Sequence, residues 1–201
     1  MRRPWATFAL ATAVLLVGMV SLPEQLGLSR QGLAAPPLWF ASLADAARPL
    51  AALIAPMVPL GPVHALLTAA GLAVAGFGYE LRFGRGRTLL TFAVGALLPG
   101  ALALVGVLPW LPIGGTAGAM ALFGGRLLDM ARRGESRSLF GPLVGPLILH
   151  GAMEALVAGE WGPVHALGFA AGAVLARALP PPERAPRAPA PEAATPEPKS
   201  S

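Results

Sequence analysis

Six apolar runs fill most of this 201-residue chain, each close to the ~20 residues that carry a helix across a bilayer. They fall at about 5–22, 60–79, 88–108, 113–131, 139–159 and 162–179. Several of them are rich in Gly and Ala, which suits tightly packed membrane helices better than lipid-facing ones. The expected fold is an all-α membrane protein, a bundle of six transmembrane helices. With 55% hydrophobic and 12% charged residues, a soluble class is a poor fit. The runs at 113–131 and 139–159 carry polar residues: Arg126 and Asp129 in the first, Pro142, Pro146, His150 and Glu154 in the second.

The net charge of +5 is unevenly placed. Arg2 and Arg3 precede the first run, and Arg82, Arg85 and Arg87 separate the second from the third. Arg126, Arg132, Arg133 and Arg137 close or follow the fourth, and Arg177, Arg184, Arg187 and Lys199 close or follow the sixth. Thirteen of the fifteen basic residues thus share one side, and only Arg30 and Arg48 take the other. The positive-inside rule places that side, with both termini, in the cytoplasm. This distribution reads as membrane topology, and no nucleic-acid partner is expected. The abundance of Ala, Pro, Arg and Gly suits a GC-rich bacterial genome, hence the inner (plasma) membrane.

The chain has no cysteine, which removes disulfides and thiol chemistry from consideration. The first run follows two arginines but is longer than a signal core, and Ser21-Leu22-Pro23 is a poor cleavage site, so it reads as a retained helix. The folded domain is expected over 1–179, with a long non-cytoplasmic first loop at 23–58. Within that loop Trp39 and Phe40 suit the headgroup level. Residues 180–201, dense in Pro and Ala, lack the apolar content to fold and read as a disordered cytoplasmic tail. The hexapeptide Gly-Pro-Val-His-Ala-Leu occurs at 61–66 and again at 162–167. Pro favours a first helical turn, so the coincidence reads as shared helix-start chemistry.

Two stretches carry chemical signals. The fourth run opens Gly114-Gly115-Thr116-Ala117-Gly118. The sixth contains His165-Ala166-Leu167-Gly168-Phe169-Ala170-Ala171-Gly172. His64 and Thr68 lie four apart near the start of the second run, which is followed by Glu80-Leu81-Arg82-Phe83-Gly84. This set resembles the rhomboid family of intramembrane serine proteases. Rhomboids carry a Gly-x-Ser-Gly nucleophile segment, a His-x-x-Gly-x-x-x-Gly base helix, an early His-x-x-x-Asn and a Glu-x-x-x-Gly. The resemblance covers about residues 5–179. It implies dyad positions at Ala117 and His165, oxyanion-equivalent positions at His64, Thr68 and Gly115, helix-packing glycines at Gly118, Gly168 and Gly172, and structural roles for Glu80 and Gly84.

Ala117 stands where the family has serine. A methyl group can neither attack a carbonyl nor exchange a proton with a base, so the resemblance implies an inactive member. Thr68 offers one hydroxyl donor where Asn offers two N–H groups. Ala121 replaces a frequent tyrosine. Thr116 is a possible substitute nucleophile, but neighbouring helical residues point about 100° apart, so its hydroxyl is expected to face away from the direction of Ala117. Glu80, among Arg82, Arg85 and Arg87, is expected to be paired and to brace the cytoplasmic turn.

His150 and Glu154 lie four apart in the fifth run and so share a helical face. They read as a hydrogen-bonded pair tightening the bundle, with a proton or metal site involving His165 or His64 as the alternative. No metalloprotease signature is present, and neither a metal nor a cofactor is expected. Two functions remain. One is a pseudoprotease whose partners are the lipid bilayer and transmembrane segments of client proteins. The other is an active protease or hydrolase using Thr116 or a His/Glu site. A small transporter module fits less well, since the chain lacks repeat symmetry.

Overall fold

The computed structural model describes residues 3–20, 38–109, 111–134 and 162–179, with the isolated positions 145, 148, 151, 152 and 181. Among these residues every regular element is a helix, with α1 at Trp5–Val20, α2 at Leu38–Ala46, α3 at Arg48–Ile54, α4 at Pro62–Phe83, α5 at Arg85–Leu104, α6 at Thr116–Arg132 and α7 at Gly162–Ala178. A 3₁₀ turn, Ala55–Met57, follows α3. α4 and α5 are long and apolar enough to cross a membrane, and α1 is a shorter apolar helix. The fifth apolar run, with His150 and Glu154, lies outside the described residues, as do the side chain of Trp39 and the tail.

Local sequence explains the breaks. Pro62 and Pro163 stand in the first turns of α4 and α7, where a missing N–H costs nothing. Gly84 ends α4 and opens α5 at φ 84°, a left-handed conformation costly for other residues. Its N–H donates to Glu80 O at 2.8 Å, and its carbonyl accepts from Thr88 N at 3.1 Å. The two helices therefore form a tight hairpin with its arginines at the turn.

That turn marks one end of the bundle. Glu80, 3% exposed, accepts from Ala6 N at 3.0 Å, Thr7 N at 2.7 Å and Thr7 Oγ1 at 2.9 Å. The carboxylate thus satisfies orphan N–H groups in the first turn of α1, a helix that has no acidic residue there itself. The sequence points to arginine as the main partner of Glu80. In the structure Arg85 Nε is 3.8 Å away, and α1 supplies the three short bonds. Arg87 donates to Leu179 O at 3.2 Å, bringing the end of α7 to the same place.

α6 is the central helix. Every residue from Gly115 to Gly125 is buried. It packs against α4, α5 and, most extensively, α7. The glycines set these distances. A Cβ on Gly168 would overlap Ala117 O and lie 2.9 Å from its carbonyl carbon, and one on Gly172 would lie 2.6 Å from Ala121 Cα. Gly124 meets the backbone of Phe169 in the same way. α6 and α7 therefore run parallel with backbones in contact, as small faces allow. Between α1, α4, α5 and α6 lies an apolar core that includes Val14, Leu72, Phe92, Leu122 and Phe123. A second cluster joins Phe40, Ala51, Ala55, Val58, Leu60 and Ile113 at the other end, over the start of α6.

Candidate functional site

Polar side chains converge where α6 begins. Gly114 takes φ 91°, and its N–H donates to Ala55 O at 2.8 Å, which fixes the approach to the helix. Gly115 follows with its α-carbon beside Pro56 O, Thr68 Cγ2 and Phe92 Cζ. Both glycines are needed sterically, because a Cβ on Gly114 would occupy the place of the His64 ring.

His64 is buried, and its Nδ1 accepts from Leu60 N at 3.0 Å. In the neutral ring the proton therefore sits on Nε2, making that atom a donor next to Gly114. One turn further on α4, Thr68 is 0% exposed, and its Oγ1 has no hydrogen-bond partner among the described residues. A buried hydroxyl without a partner costs about 1–3 kcal/mol, so this atom is a standing donor or acceptor for a group that enters. The expected grouping of His64, Thr68 and Gly115 is thus present in space.

The dyad positions are arranged differently from expectation. His165 Nε2 lies 3.1 Å from Thr116 Oγ1, and the residue that rests on Ala117 is Gly168. Thr116, whose hydroxyl is expected to face away from the direction of Ala117, is the residue that meets the histidine. The reason is register: Gly168 rests on Ala117, so His165, three residues earlier in a parallel helix, lies before the level of Ala117, at the start of α6. Thr116 is 1% exposed and His165 is part-buried, so the ring is the accessible member of the pair.

Ala121 is fully buried between two glycines. Gly172 of α7 presses on its backbone and Gly95 of α5 on its methyl, so no larger side chain fits. Gly118 packs its α-carbon against the Phe92 ring, consistent with its packing role. The repeated hexapeptide also gains a meaning that its sequence did not convey. Its two copies start α4 and α7, and their histidines flank the same point, His64 at Gly114 and His165 at Thr116. Among the described residues no three His, Cys, Asp or Glu side chains gather in a group that could hold a metal.

No family model matches the chain, and neither a curated protein nor a solved structure does so. The site therefore has to be read from its own chemistry. It offers one buried imidazole donor, one buried hydroxyl and a hydroxyl–imidazole pair, all within an apolar bundle beside a methyl group.

Proposed function

We propose that this chain is a rhomboid-like, multi-pass membrane protein that has lost its serine nucleophile and holds transmembrane segments of client proteins. In this reading it spans the membrane six times, with both termini on the arginine side. The supporting observation is the set of polar side chains His64, Thr68, Thr116 and His165 around the start of α6, where Ala117 follows Thr116 in the chain. Polar partners are scarce in hydrocarbon, so a client helix with an exposed polar group is stabilised by meeting them there. Without an attacking oxygen at 117, the bound segment stays intact. Losing a nucleophile costs on the order of 10⁶ in kcat.

The bond between Thr116 and His165 favours a second reading, a hydrolase in which Thr116 is the nucleophile and His165 the base. Against it stands the burial of Thr116, whose hydroxyl a scissile carbonyl reaches only if α6 and α7 part.

One experiment separates the two. The full chain is reconstituted in liposomes with single-span reporter proteins, and a photoreactive residue replaces His165 in a parallel sample. Capture of a reporter by that sample, with no cleavage by the unaltered protein, supports client binding. Cleavage by the unaltered protein that disappears on Thr116→Val supports the hydrolase. Neither capture nor cleavage refutes both.

A further inference from the structure

At the arginine end, far from the polar cluster, α4 and α6 border a pocket of about 290 Å³. It is lined by Phe77, Gly78, Leu81, Arg82, Arg126 and Arg133. Half of these residues are arginines, and their charges are incompletely balanced. Arg82 Nε at 3.3 Å and Arg133 Nη2 at 2.7 Å share a single carboxylate oxygen, Asp129 Oδ2. Arg126 Nη1 donates to the Gly78 carbonyl at 2.7 Å, and no carboxylate pairs with it among the described residues. That bond uses one of the five N–H donors of a guanidinium. Among the described residues three cations face one anion there, a local excess of two positive charges. Planar guanidinium forks match the oxygens of a phosphate, to which they donate in pairs.

The opposite wall is apolar and open. Phe77 and Leu81 are 48% and 39% exposed, and the same face of α4 continues through Val74, Leu66 and Val63, all exposed. Spacings of three, four and eight residues keep these side chains on one stripe. From position 63 to 81 the stripe is about 27 Å long, close to the ~30 Å hydrocarbon core. A free phosphate ion has no use for such a stripe, whereas an acyl chain does.

We propose that this pocket binds the phosphodiester of an anionic phospholipid, whose acyl chains lie along the Val63–Leu81 face of α4. The inference shares with the proposed function only the reading of the chain as membrane-embedded, and it does not depend on what the Thr116–His165 cluster does.

The test is native mass spectrometry of the full chain, released from micelles holding equal amounts of phosphatidylglycerol and phosphatidylcholine. A basic residue near an anionic headgroup strengthens binding about fivefold, so two unbalanced charges give a preference of about 30-fold for phosphatidylglycerol. Arg126→Gln lowers it about fivefold, and Arg126→Gln with Arg133→Gln removes most of it. Arg133→Gln alone leaves the Gly78 bond in place and keeps the test readable if the Arg126 variants do not fold. Asp129→Asn acts in the opposite direction and raises phosphatidylglycerol retention, which a purely structural role for these arginines does not predict. Arg48→Gln, at the other end of the bundle, leaves retention unchanged. Equal retention of the two lipids overturns the proposal. So does an equal loss in the Arg126 and Asp129 variants, or binding of inorganic phosphate without preference between the lipids.

Discussion

Replacing Gly172 by alanine tests the backbone contact on which the α6–α7 pair depends. The added Cβ would stand 2.6 Å from Ala121 Cα and closer still to the carbonyl carbon and oxygen of that residue. These are main-chain atoms in the interior of a helix, so no rotamer change relieves the overlap. Overpacking of this kind costs about 3 kcal/mol, the upper part of its usual range. Alanine is the better helix former by about 1 kcal/mol, which leaves a net loss of about 2 kcal/mol. Gly86 is the control. It also lies in a helix, but a Cβ there meets nothing within 4 Å, so Gly86→Ala keeps the propensity gain alone. The two identical chemical changes therefore differ in sign, with a gap of about 3 kcal/mol between them. Thermal unfolding of the full chain in detergent, followed by circular dichroism, reads this gap as about 6–12 °C for a protein of this size. If both variants unfold within about 1 °C of each other, α6 and α7 do not touch as described.

Glu80→Gln removes the charge that the first turn of α1 faces and leaves at most part of its three hydrogen bonds. Stability falls by about 1–2 kcal/mol, and amide exchange at Ala6 and Thr7 accelerates; unchanged exchange there refutes the cap. Gly114→Ala forces a side chain into left-handed backbone and into the His64 ring, at a cost of about 2 kcal/mol or more, seen as a lowered midpoint of unfolding. Thr116→Val deletes the partner of His165 for about 1 kcal/mol and shifts the ¹⁵N resonance of its Nε2; an unmoved resonance contradicts the bond. Ala117→Ser alone gives less peptide cleavage than Ala117→Ser combined with Thr116→Val, because only the second removes the hydroxyl that bonds the imidazole; equal cleavage by the two shows that Thr116 does not hold the ring.

Helix starts and the hairpin were readable because single residues dictate them. Pro62, Gly84, the Gly114-Gly115 pair and Pro163 each act on their own φ and ψ. The grouping of His64, Thr68 and Gly115 came from the rhomboid resemblance, and spacing supports only its first two members, which lie four apart on one helical face. What could not be read depends on two helices at once. Whether His165 meets Thr116 or Ala117 is decided by the level of α7 against α6, which Gly168 sets by resting on Ala117. The true partners of Glu80 are backbone N–H groups more than seventy residues upstream, and such groups leave no mark in a side-chain sequence. The signal present was an indirect one: Thr7 opens a helix whose first turn has no acid of its own.

The burial of α6 on every side bears on the order of assembly. From Gly115 to Gly125 it presents mostly glycine, alanine and methyl-sized surface, which gains little from contact with acyl chains. Such a segment is held by a socket made by other helices, and α1, α4 and α5 precede it in the chain. Burial of this kind favours an order of assembly in which the earlier helices come together before α6 packs among them and α7 against it.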